Sequence, residues 1–177
     1  MEWKIPLFKT YWNQSDLELV SKVIRRGTHW AAGPEVEEFE RKLAEFHGVN
    51  HALTFNSGTS ALVAMYEAID VRGYEVIVPS FTFIATANAV LLAGGTPVFA
   101  ESESETLGLE AEDVAKKITS KTKAIVALHY AGGVSRDIEK LRDLAKKKGI
   151  VLLEDNAHSL GVRKDGNYVE LLELHPY

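Results

Sequence analysis

The sequence contains no cysteine in its 177 residues and no long apolar run. The missing cysteine excludes thiol catalysis, thiolate metal sites and disulfide bonds. No window approaches the ~18 consecutive apolar residues of a membrane span. The first residues carry an acid at position 2 and a proline at position 6, which is not the pattern of a secretory signal peptide. We therefore predict a cytoplasmic location.

An excess of positive charge is also absent. The chain has 20 Lys+Arg against 25 Asp+Glu, which gives a net charge of −5. This balance argues against a general nucleic-acid or membrane-surface binder, and we expect neither as a partner. Hydrophobic residues make up 46% of the chain and charged residues 25%, as in ordinary soluble globular proteins.

Apolar strands alternate with helices over most of the chain. Nearly continuous apolar strands separated by helices imply a parallel sheet that is covered on both faces. We predict an α/β fold with three layers, in which helices pack on both sides of a mostly parallel sheet. The predicted helices cover residues 16–26, 34–48, 57–69, 82–92, 110–118 and 138–148, and the predicted strands cover residues 51–56, 75–79, 97–100, 123–128 and 150–154.

Candidate site residues follow the strands, because ligands of parallel sheets bind beyond the carboxyl ends of the strands. Each segment also has a more common structural explanation. The Ser57–Ser60 turn forms either an anion site at a helix N-terminus or a simple helix cap. In residues 79–83, one aromatic residue either lies on a planar ring or packs in the core. His129, at the end of a strand, is more often a hydrogen-bonded structural residue than a catalytic one.

Asp155 follows the last apolar strand and is expected to be partly buried. A buried carboxylate needs a partner, which here is a protonated ring nitrogen, a cation or a helix cap. Asp155 and His158 are three residues apart, but no further ligands at metal spacing accompany them, so we predict no metal site. Together the segments describe a ligand with a phosphate, an aromatic ring and a basic ring nitrogen. Pyridoxal phosphate (PLP) has that shape.

Eight motifs occur in order along the chain: IPLF from residue 5, GPEVEEF from 33, SGTSAL from 57, EVIVPSFTFIATANAV from 75, GTPVF from 95, TKAI from 122, HYAG from 129 and EDNAHSLG from 154. In their order and spacing they resemble the DegT/DnrJ/EryC1/StrS family of sugar aminotransferases. These are fold-type I PLP enzymes, and the resemblance covers residues 5 to about 169, which is the N-terminal half of a family member.

The resemblance implies a role for five residues. Thr59 and Ser60 match the residues that hold the cofactor phosphate, and Phe83 matches the aromatic residue that stacks on the pyridine ring. Asp155 matches the partner of the ring nitrogen, and His158 lies where members have histidine or glutamine beside the cofactor. Such enzymes are dimers that transfer an amino group, usually from glutamate, to a keto group on a nucleotide-linked sugar.

The resemblance also implies that a catalytic residue is missing. Family members are about twice as long, and the lysine that forms their Schiff base lies a few tens of residues beyond the position of Asp155. The only lysine after Asp155 in this sequence is Lys164, which we predict to be a solvated turn residue. We therefore expect residues 1–169 to form part of the large domain, the small domain to be absent, and any PLP binding to be non-covalent and without activity.

The last eight residues do not match the family pattern. The family pattern that follows Val169 can be written as a DNA sequence from which the deletion of one base yields the observed residues 170–177. We therefore predict that residues 170–177 are read out of frame. An alternative interpretation is a non-catalytic regulatory or interaction protein derived from an aminotransferase. No helix-turn-helix pattern or basic patch supports a DNA-binding form of that alternative.

Overall fold

A computed structural model describes residues 4–6, 9–29, 31–164 and 166–168. The chain divides into two compact units, residues 1–53 and 54–177, and each is described by itself. The helices are α1 (Gln14–Arg26), α2 (Pro34–His47), α3 (Gly58–Ala68), α4 (Ala85–Leu92), α5 (Ala111–Lys117) and α6 (Ile138–Lys148). The strands are β1 (Glu75–Pro79), β2 (Thr96–Ala100), β3 (Thr122–Leu128), β4 (Val151–Asp155), β5 (Arg163–Lys164) and β6 (Asn167–Tyr168).

The first unit contains helices α1 and α2, both of which confirm the sequence prediction. Helix α1 begins at a capping box, in which the Asn13 side chain accepts from a backbone N–H and the Asp16 side chain accepts from the Asn13 N–H. Such reciprocal capping satisfies backbone donors that the first turn leaves unpaired. Arg26, at the end of α1, forms a 2.8 Å ion pair with Glu35 in α2. This pair fixes the turn between the two helices.

The second unit is built on a four-stranded sheet with the order β2-β1-β3-β4. All three strand pairings are parallel, which confirms the predicted fold class. Val76 and Val78 pack with α3 and α4 on one face of the sheet, whereas Ile77 packs with α5 and α6 on the other. The alternation arises because successive side chains of a strand point to opposite faces. The result is the predicted three-layer arrangement of helices, sheet and helices.

Strand β2 forms one edge of this sheet, and a cation covers part of it. The Ala100 carbonyl accepts from Ser80 beyond β1, so the preceding carbonyl, that of Phe99, points outward. The ammonium of Lys117 donates to this outward carbonyl at 2.8 Å and also pairs with Asp113 at 2.7 Å. A lysine placed in this way occupies a group that an edge strand would otherwise present.

The structure corrects two sequence predictions and shifts others at their ends. Residues 51–56, predicted as a strand, have no regular secondary structure. A strand requires a hydrogen-bonded neighbouring strand, and no strand of the described sheets includes these residues. Helix α4 begins at Ala85 rather than at Thr82, and β4 extends to Asp155. The Asp155 side chain is therefore held on a strand and not in a loop.

The second correction concerns Lys164. Strands β5 and β6 form a short antiparallel hairpin, in which Lys164 pairs with Asn167. Lys164 is consequently a half-buried strand residue instead of a solvated turn residue. Residues 170–177, predicted to be out of frame, lie outside the described residues, and the domain boundary at residue 169 stays a prediction. None of the described helices is long and apolar enough to cross a membrane.

Candidate functional site

Three loops meet at the carboxyl edge of the sheet through aromatic contacts. The rings of Phe81, after β1, and Tyr130, after β3, lie edge to face with centroids 5.1 Å apart. Tyr130 makes a similar contact with His158, after β4, at 5.5 Å. The His158 Nδ1 also accepts a hydrogen bond from the Ala131 N–H at 3.4 Å. The structure thus places the predicted site residue His158 against Tyr130, which in turn contacts Phe81.

Asp155 is a buried acid at the end of β4, with a side chain on the face of the sheet that carries α4. The residue is 8% exposed. Its Oδ2 accepts from the Thr86 hydroxyl at 3.0 Å, and its Oδ1 accepts from the Ala157 N–H at 3.2 Å. Within the described residues, Asp155 forms no ion pair. A buried carboxylate that is held by neutral donors alone keeps acceptor capacity for a cationic ligand group.

Thr86 connects Asp155 to the other parts of the site. Its backbone N–H donates to the Phe83 carbonyl at 3.1 Å, and its own carbonyl accepts from the Tyr66 hydroxyl at 3.1 Å. The Thr86 and Thr82 hydroxyls lie 2.9 Å apart. Burial, followed by the nearby Asp155 carboxylate, raises the pKa of Tyr66 well above its ordinary value. Tyr66 therefore stays protonated and continues to donate its hydrogen bond.

Phe83 is the candidate for contact with a planar ring. Its side chain is 74% exposed, so the alternative that it packs in the core is wrong. The ring stands directly before α4, and its backbone is fixed by the hydrogen bond to Thr86. An exposed aromatic ring in this position can pack against the face of a flat ligand.

The N-terminus of α3 has features of both sequence interpretations. Ser57 caps the helix, because its hydroxyl accepts from the Ser60 N–H at 3.2 Å. The Ser60 hydroxyl donates to Asn56 at 2.8 Å. Thr59 is half-buried, and its hydroxyl forms no side-chain hydrogen bond with another described residue. The cap interpretation is thus confirmed for Ser57, while the Thr59 hydroxyl and the helix N-terminus retain the chemistry of an anion site.

A second acid, Glu154, precedes Asp155 and points to the opposite face of the sheet. Its Oε2 lies 2.9 Å from the Nε2 of His129, and its Oε1 lies 3.5 Å from a guanidinium nitrogen of Arg142 in α6. The Nδ1 of His129 accepts from the Ser135 N–H at 2.9 Å, so the ring proton is on Nε2 and is donated to Glu154. His129 is fully buried, which confirms the structural interpretation of this histidine.

These residues fit PLP in their chemistry. Asp155 is an unpaired acid for a protonated ring nitrogen, Phe83 is an exposed ring, and α3 offers hydroxyls and backbone donors to a phosphate. Tyr66 and Thr86 link α3 to α4 by a hydrogen bond, and Thr86 links α4 to Asp155, so the three parts are connected through Thr86. No group of three or more His, Cys, Asp or Glu that suits a metal ion occurs in the described ranges.

The fold defines the class of protein: it is that of the PLP-dependent aminotransferases. The chain belongs to the DegT/DnrJ/EryC1/StrS aminotransferase family, whose model matches residues 11–172. It is 39% identical over 166 residues to GDP-perosamine synthase from Vibrio cholerae, which covers 93% of this chain and 45% of that protein.

Solved structures give the same result. The chain is similar to 3-amino-5-hydroxybenzoic acid synthase, with a TM-score of 0.87 and 34% identity over 98% of this chain and 44% of the other. It is also similar to a protein from Streptococcus pneumoniae that was solved in its PLP form, with a TM-score of 0.87 and 28% identity over 94% of this chain and 46% of the other. The chain thus spans less than half the length of these relatives.

Proposed function

We propose that this chain carries the cofactor-binding part of a nucleotide-sugar aminotransferase. In this proposal, Asp155 accepts from the ring nitrogen of PLP, and Phe83 stacks on the ring. Thr59 and Ser60 hold the phosphate, and His158 lies beside the cofactor. The observation that carries the proposal is the buried, unpaired Asp155 carboxylate, joined through Thr86 to the aromatic residue and to α3.

The described residues would bind and orient the cofactor. When bound, PLP supplies an electron sink that stabilises negative charge next to the nitrogen of an amino-group donor. Asp155 would keep the ring nitrogen protonated, on which this sink depends. The helix N-terminus of α3 would fix the phosphate end, and the Phe83 ring would exclude water from one face of the ligand.

The proposed reaction is the transfer of an amino group from glutamate to a keto group on a nucleotide-linked sugar. The relative from Vibrio cholerae, which makes a GDP-linked product by its name, supports this substrate class. We propose the reaction for a protein that has the full length of these relatives. For the 177-residue chain alone we propose non-covalent PLP binding without transamination.

A titration with PLP, followed by the absorbance of the cofactor, tests the binding site. We expect Asp155→Ala to weaken PLP binding by about tenfold or more, since it removes a hydrogen bond between charged groups. Phe83→Ala should weaken binding by several-fold because a stacked ring is lost. Tyr74→Ala is the matched control: this aromatic residue is 43% exposed and precedes β1, at the opposite end of the strand. An equal loss with Tyr74→Ala would contradict the proposed site.

Borohydride reduction tests whether a lysine of this chain binds PLP covalently. Lys164 is half-buried in β5, and we propose that it forms no bond to the cofactor. The reduced chain should therefore carry no PLP adduct after digestion and mass spectrometry. A stoichiometric adduct that maps to Lys164, or to another single lysine, would contradict this part of the proposal.

We also propose that the chain forms homodimers. Exposed apolar side chains support self-association: Leu91 is 58%, Leu92 68% and Phe99 50% exposed, and such surfaces favour pairing. Light scattering should give a mass of two chains that falls on dilution. A single-chain mass at every concentration would refute the proposal.

A further inference from the structure

We infer that Thr86 is the positioning residue that orients the Asp155 carboxylate toward the ring nitrogen of the cofactor. The inference rests on the proposed function and extends it to a residue for which the family resemblance assigned no role. Thr86 is 1% exposed and touches Asp155, not the ligand. Its contribution is therefore made through Asp155.

The hydrogen atoms of this cluster have one consistent arrangement. An ionised carboxylate accepts and never donates, so the Thr86 hydroxyl must give its only hydrogen to Asp155 Oδ2, 3.0 Å away. The Thr82 hydroxyl, 2.9 Å from that of Thr86, must then donate to Thr86. The result is a directed chain of two hydroxyls that ends on the carboxylate.

The carboxylate is held on both of its oxygens. Thr86 holds Oδ2, and the Ala157 N–H holds Oδ1 at 3.2 Å. Rotation of the carboxyl group would break both bonds, whereas the observed orientation leaves a second lone pair on each oxygen. Without the Thr86 hydroxyl, Oδ2 would be a buried acceptor with no donor from α4, which is costly enough to turn the group or to bring in water.

The position of the Thr86 hydroxyl is itself fixed by the backbone. The Thr86 N–H is bonded to the Phe83 carbonyl, and the Thr86 carbonyl accepts from Tyr66 in α3. The same residue therefore sets the acid relative to the exposed aromatic ring and to the helix that would hold the phosphate. A group aimed at a ring nitrogen needs this kind of support to stay within productive geometry.

The test compares PLP with an analogue in which carbon replaces the ring nitrogen. Thr86→Val keeps the shape of the side chain and removes the hydroxyl, and Thr86→Ser keeps the hydroxyl. We expect Thr86→Val to weaken PLP binding by about tenfold and to leave the binding of the analogue unchanged, and Thr86→Ser to bind both ligands as the unaltered chain does. An equal loss for both ligands, or no rescue by serine, would overturn the inference.

A second measurement needs no cofactor. Three-bond NMR couplings report the χ1 angle of Asp155 in the chain alone. One rotamer is expected in the unaltered chain and in Thr86→Ser, and averaged couplings are expected in Thr86→Val. A single unchanged rotamer in Thr86→Val would overturn the inference. If the unaltered chain binds no PLP, the proposed function fails, and this measurement still decides the role of Thr86.

A second variant without the hydroxyl keeps the test decisive if Thr86→Val does not fold. Thr86→Ala removes the hydroxyl without placing a methyl group against Asp155 Oδ2, and the same two results are expected from it. Tyr66→Phe is the control for general support, because it removes the hydrogen bond to the Thr86 carbonyl and keeps the Thr86 hydroxyl. Because the Thr86 hydroxyl remains, Tyr66→Phe should weaken PLP binding clearly less than Thr86→Val does. A selective loss of PLP binding as large as that of Thr86→Val would contradict the assignment to the Thr86 hydroxyl.

Discussion

Glu154 and Asp155 are neighbouring acids at the end of one strand, and their surroundings differ completely. Glu154 faces α6 and is matched by the His129 ring at 2.9 Å and by Arg142 at 3.5 Å. Asp155 faces α4 and is matched by a hydroxyl and a backbone N–H. Both residues are buried, so burial alone does not distinguish them. The difference lies in the charge of their partners.

The comparison separates an acid that stabilises the fold from an acid that is available to a ligand. On the α6 face the Glu154 carboxylate already accepts a hydrogen bond from the His129 ring and lies beside the cation of Arg142. On the α4 face the carboxylate has neutral donors and spare lone pairs, so a cationic ring nitrogen would complete it. If this distinction is correct, loss of Glu154 should affect stability, and loss of Asp155 should affect binding.

The largest effect on stability is expected from Glu154→Ala. This change leaves the His129 Nε2–H buried without an acceptor, and we expect a loss of about 3 kcal/mol in the free energy of unfolding. Urea denaturation followed by circular dichroism measures it. Glu154→Gln, which keeps a carbonyl oxygen for His129, should lose clearly less. Equal losses for the two variants would show that the hydrogen bond is not the cause.

The next effect is expected from Asp137→Asn, also on the α5 and α6 side. Hydrogen bonds from Arg136 first, and then from Lys140 and the Ala111 N–H, hold the pKa of the Asp137 carboxyl far below its usual range, although burial opposes them. A lowered pKa in the folded state gives stability that is present above the unfolded pKa of about 3.9 and is lost as the pH falls below it.

Removal of the Asp137 charge should therefore cost about 2 kcal/mol at neutral pH. It should also make the free energy of unfolding depend less on pH below about 4. Urea midpoints at several pH values measure both effects. A variant with the same acid sensitivity as the unaltered chain would contradict this cause of the lowered pKa.

A smaller effect is expected from Tyr66→Phe on the α4 face. The lost hydrogen bond to the Thr86 carbonyl should cost about 1 kcal/mol near neutral pH. The pKa of Tyr66 is raised by burial and by Asp155, so its stabilising effect is present below the unfolded pKa of about 10 and is lost as the pH rises above it. Thermal unfolding at alkaline pH should accordingly depend less on pH in Tyr66→Phe, and an unchanged profile would refute this.

The smallest effect on stability is expected from Asp155→Ala. The Thr86 hydroxyl can turn toward Thr82, and Ala157 is exposed to water, so few groups are left without a partner. We expect a change below about 1 kcal/mol, together with the loss of PLP binding. If Asp155→Ala destabilises the chain as much as Glu154→Ala does, the distinction between the two acids is wrong.

The strand and helix pattern of the second unit could be predicted because it depends on local information. Strands such as β1 and β3 are short apolar runs, and they lie between helices that have capping residues. The strand and helix patterns of apolar residues are therefore both visible in the sequence. The prediction of a strand at residues 51–56 was wrong because it used only the β-prone composition of the segment. A strand also requires a neighbouring strand with which its backbone forms hydrogen bonds. Lys164 was misplaced because a polar turn and the tip of a hairpin have the same composition.

The site was only partly accessible from the sequence. Asp155 was identified as an acid that needs a partner, since its position after an apolar strand implied burial. Thr86 was missed, because a threonine in an apolar helix gives no signal until α4 is packed against β4. The contact between Phe81 and Tyr130 was missed for the same reason, since it joins two loops that are 49 positions apart in the sequence.

The ammonium of Lys117 on the outward carbonyl of Phe99 makes the two edges of the sheet unequal as places for a further strand to pair. A strand that tried to add beside β2 would have to displace a bound cation and break its pair with Asp113. Such a charge disfavours the edge-to-edge pairing of a further strand with β2. Of the two edges of the described sheet, β2 is therefore the one at which a bound cation opposes pairing, while the β4 edge ends at Asp155.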